Sequence, residues 1–275
     1  MTAEETTVTI NGSPLFTVTV GEGPPILLMH GGLGLSHDYL RPYFDALAKT
    51  NMLIYYDHFG NGRSGRPDDF SDLTFRRLVS DGIALMDHLK HDTFTLIGHS
   101  FGGFIAQQLA ADSPERLKGL VLVDTVPAFD YAPTVKGPGD LMAAFGKLFS
   151  QPMADNADWQ STWGKVMQLY FRNYNAAIGS MLDRSTVYEY RAWNAGSDLL
   201  GGFNMLEALP ALRIPALVMA GRDDGITPPG PGAERIAGLM PNATLELFEN
   251  AGHYPFIEQQ EAFFTTLKDW LNTIN

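Results

Sequence analysis

Residues 93–103 read TFTLIGHSFGG, and the reading of this stretch decides the fold. The apolar run 93–98 suits a strand buried on both faces. From 101 to 111 the apolar residues fall at helical spacing. Between strand and helix stands one serine in G-x-S-x-G: Gly98, His99, Ser100, Phe101, Gly102. Flanking glycines permit a tight turn and close approach of a neighbouring chain. A strand that breaks sharply into a helix is the setting in which a serine hydroxyl is held out as a nucleophile, and the helix N-terminus beneath it favours developing negative charge. A plain strand-to-helix turn is the competing reading, and the partners elsewhere in the chain weigh between the two.

Outward from this stretch the same pattern repeats. Segments 7–10 and 15–20 flank the turn NGSP and read as a hairpin. Runs at 26–30, 52–57, 117–124, 214–221 and 243–248 read as further strands, and 39–49, 75–90 and 256–271 have helical spacing. Strands alternating with helices imply an α/β fold, with a mostly parallel sheet covered on both faces and an antiparallel edge. The interval 127–207 breaks this rhythm. It holds Trp159, Trp163 and Trp193, three of the four tryptophans, and no convincing strand. It reads as a helical cap set on a core made of 1–126 and 208–275. Some of its aromatics are expected to pack inside the cap and others to line a pocket.

Composition narrows the chemistry. With 275 residues, 45% of them hydrophobic, the chain can build a sizeable core. A formal charge of −12 without a basic cluster argues against nucleic acid as a partner, since that binding rests on Lys and Arg neutralising phosphates. The absence of cysteine removes disulfides, thiolate metal sites and a cysteine nucleophile. No apolar run approaches bilayer length, and MTAEETTVTI lacks the pattern of a signal peptide. The expectation is a soluble, cytoplasmic protein with a small-molecule substrate and no membrane partner. Oligomeric state is left open.

A serine hydroxyl is a weak nucleophile and needs a base. Of the seven histidines, His253 in ENAGHYPF follows the last strand and precedes the final helix, at the carboxyl end of a strand, where such sheets carry catalytic groups. The base in turn needs a carboxylate to fix its tautomer. AGRDDGITPP offers Asp223 and Asp224, and Asp124 at the end of LVLVD competes. The order serine, acid after the 214–221 strand, histidine is the order in which a nucleophile-elbow sheet carries its triad. For the oxyanion, HGGLG (30–34) supplies glycine N–H groups. One donor from this loop and one from the residue after the nucleophile nominate Gly32 and Phe101, with His30 holding the loop. Residues 60–65 spell G-x-G-x-x-G but run on into Arg66-Pro67-Asp68-Asp69 instead of opening a helix. They read as a turn near the floor of the site, and neither an organic cofactor nor a metal is expected.

With these residues in place the chain resembles the α/β-hydrolase superfamily over essentially its full length and, within it, the proline iminopeptidase branch. HGGLGLSHDYL (30–40) is similar to that branch's HGGPG loop, with Leu33 where proline is usual, and YYDHFGNGRS (55–64) is similar to its Y-D-Q-x-G-x-G-x-S segment. The resemblance, through the G-x-x-D spacing of GRDD, assigns the acid to Asp224. It also implies that an aminopeptidase would hold its substrate's free amine with acidic residues, one in the cap and, in some members, one directly after the catalytic acid. The latter position is Gly225 here; Asp198 in WNAGSD is the cap candidate. A buried amine facing fewer than two carboxylates is poorly compensated. The expectation therefore moves to a serine hydrolase that acts through an acyl-enzyme on an ester, lactone or amide of a mostly apolar small molecule. A proline iminopeptidase-type aminopeptidase is the alternative. A small-ligand receptor and a cofactor-independent oxygenase on the same fold stand further off. Leu33, Trp163, Trp193, Asp198 and Tyr254 are the candidate substrate contacts.

Overall fold

The hairpin of β1 (Ala3–Ile10) and β2 (Ser13–Val20) turns on Asn11 and Gly12, both at positive φ. A two-residue turn that matches the twist of its strands requires that geometry, and Asn-Gly adopts it readily. The other strands are β3 (Pro25–Met29), β4 (Met52–Tyr56), β5 (Phe94–His99), β6 (Leu117–Val123), β7 (Ala216–Gly221) and β8 (Ala243–Phe248). They form one sheet in the order β1-β2-β4-β3-β5-β6-β7-β8, in a computed structural model that describes residues 2–274. β1, β2 and β4 pair antiparallel, and every other neighbouring pair is parallel. From β3 the chain moves outward to β4 on one side; from β5 it moves outward through β8 on the other. The winding reverses between β3 and β5, and the crevice at such a reversal is where open α/β sheets bind ligands.

β3, β5 and β7 are buried along nearly their whole length, which is why they read as unbroken apolar runs. A side chain such as Leu27 or Leu28, fully buried, contributes about 1.5–3 kcal/mol. The helices outside the cap are α1 (Arg41–Phe44), α2 (Phe75–His88), α3 (Phe101–Asp112), α8 (Arg235–Leu239), α9 (Pro255–Glu258) and α10 (Gln260–Ile274). α2 starts where the Thr74 hydroxyl accepts from the Arg77 N–H at 3.2 Å, a cap worth about 1 kcal/mol. Two expected helices are broken. The 39–49 segment becomes two 3₁₀ turns flanking the four residues of α1. The closing helix stops at Gln259 and restarts as α10.

The cap consists of α4 (Gly139–Ser150), α5 (Asn156–Val166), α6 (Ala176–Ser185) and α7 (Tyr190–Gly202). Its two ends are tied by an isolated bridge between Ala128 and Asn204 and by the Met205 N–H donating to the Pro127 carbonyl at 2.7 Å. The excursion therefore leaves and rejoins the sheet at one place. No helix among the described residues is long and apolar enough to cross a membrane.

Candidate active site

The loops that leave β3, β5, β6, β7 and β8 at their carboxyl ends carry Gly31–Gly32, Ser100, Asp124, Asp224 and His253. A parallel sheet thus delivers residues from five distant stretches of sequence to one edge.

Ser100 occupies φ 54°, ψ −119°, a region costly for a residue with a Cβ. Three hydrogen bonds hold it there. Its N–H donates to the Val123 carbonyl at 2.9 Å, and its carbonyl accepts from the Gly103 N–H at 2.8 Å and from the Thr125 hydroxyl at 3.0 Å. The glycines are sterically required: a Cβ on Gly102 would stand 2.1 Å from the Met29 carbonyl oxygen, and one on Gly98 2.6 Å from that of Gly102.

His253 Nδ1 lies 2.8 Å from Asp224 Oδ2. Asp224 also accepts the Ile226 N–H at 2.8 Å, the Thr227 N–H at 3.2 Å and the Thr227 hydroxyl at 2.6 Å. Burial alone would raise this carboxyl. The charge and hydrogen bond of His253, with the other donors, hold it below the usual carboxylate range, so it stays ionised and keeps the proton of His253 on Nδ1. His253 Nε2 is then the bare, basic nitrogen; it is buried and has no hydrogen-bond partner among the described residues. Ser100 shares one cavity with Thr227 and Tyr254, which flank this histidine.

Asp124 is brought to the same place. Its oxygens, those of Asp224 and the His253 nitrogens include a set lying within 4.8 Å of one another. Yet Asp124 Oδ1 accepts a single hydrogen bond, from the Gly221 N–H at 2.9 Å, and Oδ2 is buried without a donor. Burial first, and next the neighbouring Asp224 charge, push its carboxyl well above the usual range. Two acids and a histidine could in principle hold a metal, but four protein donors already occupy Asp224, and the geometry is that of a hydrogen-bonded cluster.

On the other side of the crevice both backbone polar groups of Gly31 are held. The Gly31 N–H donates to the Tyr39 hydroxyl at 2.7 Å, and its carbonyl accepts from His30 Nδ1 at 2.9 Å. The Gly32 and Phe101 N–H groups have no acceptor among the described residues. His30, as expected from sequence, serves the loop; its Nε2 accepts the His58 N–H at 3.3 Å. The glycine-rich 60–65 segment is a turn, and Asn61 accepts the Gly34 N–H at 2.6 Å.

A cavity of about 90 Å³ reaches Ser100 from beneath the cap. Leu33, Trp163, Trp193 and Tyr254 line it, as do Trp159, Phe104 and Tyr170; no Asp, Glu, Lys or Arg among the described residues does so. Trp193 stacks on Trp159 at 4.9 Å, and Trp159 is anchored by donating to the Gly34 carbonyl at 3.0 Å. Asp198 does not join this group. It is exposed and lines an adjoining cavity of about 340 Å³ with Asn194 and Ser197. Glu189, buried near the Gly34 carbonyl, is already paired with Arg66 and Arg191. Sequence reasoning passed over Thr227, Tyr39 and the ring of His99 as parts of the site. For Thr227 the available signal was a hydroxyl three residues after the acid.

The family described as alpha/beta hydrolase fold matches residues 24–260. A proline iminopeptidase of Clostridium botulinum is 27% identical over 271 residues, covering 92% of this chain and 91% of its own. Among solved structures, a meta-cleavage product hydrolase of Pseudomonas fluorescens IP01 superposes with a TM-score of 0.82 at 21% identity, covering 98% of both chains. An enol-lactonase of Burkholderia xenovorans LB400 gives 0.79 at 23% identity, covering 97% of this chain and 100% of its own.

Proposed function

Because the chain belongs to the α/β-hydrolase fold family and is an enzyme of hydrolytic type, we propose that it is a serine hydrolase cleaving an ester or lactone of an uncharged, largely apolar small molecule. The observation that carries the substrate class is the lining of the cavity at Ser100, which is aromatic and aliphatic and holds no charged side chain. An ammonium group buried there would lose its hydration with no carboxylate to replace it.

In this reading His253 Nε2 takes the Ser100 hydroxyl proton as the oxygen attacks the substrate carbonyl carbon. The carbonyl oxygen gathers negative charge against the Gly32 and Phe101 N–H groups, donors worth about 10²–10³ in rate each. The imidazolium of His253 is stabilised by Asp224. As the tetrahedral intermediate collapses, His253 returns the proton to the departing alkoxide and the acyl-enzyme is left. Water then adds with His253 as base, the acid product leaves, and Ser100 regains its proton.

A second reading, an aminopeptidase, is favoured by the likeness to the Clostridium botulinum protein. The two separate on one plate of purified enzyme given p-nitrophenyl butyrate, a set of γ- and δ-lactones, and proline p-nitroanilide with and without an N-acetyl group. Preference for the ester or lactone supports the proposal. Preference for the free-amine anilide, lost on acetylation, overturns it and directs attention to Asp198.

A further inference from the structure

Tyr39 and His99 form a hydrogen-bond bridge between the two halves of the site, and its direction can be derived. His99 Nε2 lies 3.0 Å from the His253 carbonyl oxygen. A carbonyl only accepts, so Nε2 carries the hydrogen. Burial first, then the nearby His253, keep the His99 ring well below its ordinary pKa, so it holds one proton and Nδ1 is a bare acceptor. The Tyr39 hydroxyl, 2.6 Å from Nδ1, therefore donates to it, and the tyrosine oxygen accepts the Gly31 N–H at 2.7 Å. The bonds run one way: Gly31 N–H to Tyr39, Tyr39 O–H to His99, His99 N–H to the backbone of His253. All are buried, and every polar atom of both side chains is used. The same region is packed to contact, for a Cβ on Gly31 would stand 2.8 Å from Ser100 Cβ and 3.0 Å from His99 Nδ1.

We propose that Tyr39 and His99 are positioning residues that hold the oxyanion loop and the loop of the base in fixed register across Ser100. Both line the cavity at Ser100, and the role assigned to them is to hold their neighbours in place. The bridge holds the Gly31 N–H, and His30 holds the Gly31 carbonyl, which shares its peptide with the Gly32 N–H, so that donor is carried by a residue restrained on both sides. At its other end it fixes the backbone from which the His253 ring projects. The His253 N–H donates to the Tyr170 carbonyl at 2.7 Å, so both polar groups of that peptide unit's residue are held. A misplacement of about 1 Å at such a site is enough to cost of the order of 10² in rate. The inference rests on the Ser100–His253 reading for its catalytic consequence, but the direction of the bridge does not.

The test has two arms. The first is ¹⁵N NMR of histidine-labelled protein, which reads ring protonation without any substrate. His99 is expected as the Nε2–H tautomer and to titrate below an ordinary imidazole; an Nδ1–H tautomer, or titration at or above the ordinary imidazole range, overturns the proposal. The second is kinetic, using Tyr39→Phe, which keeps the ring and removes only the hydroxyl. It should lower kcat on p-nitrophenyl butyrate by about tenfold or more with KM within about threefold, and weaken a boronic acid transition-state analogue in the same proportion. An unchanged kcat, or a loss confined to KM, overturns it. His99→Gln, which can still donate to the His253 carbonyl, should retain more activity than His99→Phe. If wild-type protein hydrolyses none of the esters and lactones, the hydrolase reading fails, while the NMR arm still decides the bridge.

Discussion

Asp124 and Asp224 bring two buried carboxyl groups within 4.8 Å of one another, and the protein solvates them unequally. Asp224 accepts from two backbone N–H groups, a hydroxyl and an imidazole, whereas Asp124 accepts from one backbone N–H. A single negative charge shared by such a pair settles on the better-solvated member. Asp224 is thus the ionised acid and Asp124 the neutral one. Asp224→Asn should cost about 10⁴ in kcat, the effect of disturbing the tautomer of a catalytic histidine. Asp124→Asn imitates the protonated acid and should cost less than about tenfold. Steady-state kinetics on the pair decides, and the reverse ranking would make Asp124 the orienting acid.

Ser100→Ala should leave at most the residual of about 10³–10⁴ over water that binding and oxyanion donors supply in such enzymes. A fluorophosphonate probe should label wild-type protein one to one at Ser100 and leave the variant unlabelled, with mass spectrometry locating the adduct. Turnover within tenfold of wild type in the alanine variant would remove Ser100 from the mechanism.

Three buried histidines predict an acid-sensitive fold. Burial lowers His30 to about 4 and takes His58 and His99 well below their ordinary value of 6.5. The folded chain keeps these rings neutral where the unfolded chain would protonate them. Between pH 6.5 and 4 the unfolded state binds more protons, so stability rises with pH and is lost as pH falls through that window. Each such ring contributes up to about 1.4 kcal/mol per pH unit until its folded pKa is reached. Urea midpoints measured from pH 7 down to 4.5 should fall steeply; a flat series would contradict the neutral burial of these rings.

The chamber wall predicts a change of substrate size preference. Trp163 lines it beneath the cap, and Trp163→Ala opens space that a bulkier acyl group can fill. The ratio of kcat/KM for octanoate over butyrate esters should rise by about tenfold, the order of selectivity that small changes in an apolar pocket give. Removing a buried tryptophan also costs about 3–5 kcal/mol of stability, so the melting temperature should be followed alongside.

Much of this arrangement was legible in the residues because it is local. Gly98 to Gly102 and the runs that became β3, β5, β6 and β7 are each read within a few positions. What was not legible is carried by contacts between remote positions. The Tyr39–His99 bond spans 60 residues, His99 to His253 spans 154, and Asp124 to Gly221 spans 97; no spacing rule encodes them. The first strand begins at Ala3, not at position 7, because an edge strand needs no apolar face and its Glu4-Glu5-Thr6-Thr7 segment is exposed. Asp198 is located by the packing of the cap, which leaves its side chain at the surface and outside the chamber at Ser100.

The stacked pair Trp159 and Trp193, with Trp163 beside it, also gives the protein its own optical reporter. Three of four indoles face the chamber, while the remaining one, Trp270, lies on α10 against Gly119. Most of the indole absorption therefore belongs to the cap, and indoles 4.9 Å apart are close enough for their electronic transitions to couple. Entry of a non-fluorescent apolar ligand should register as a change in emission and in the circular dichroism of that pair, with no label attached and no turnover required.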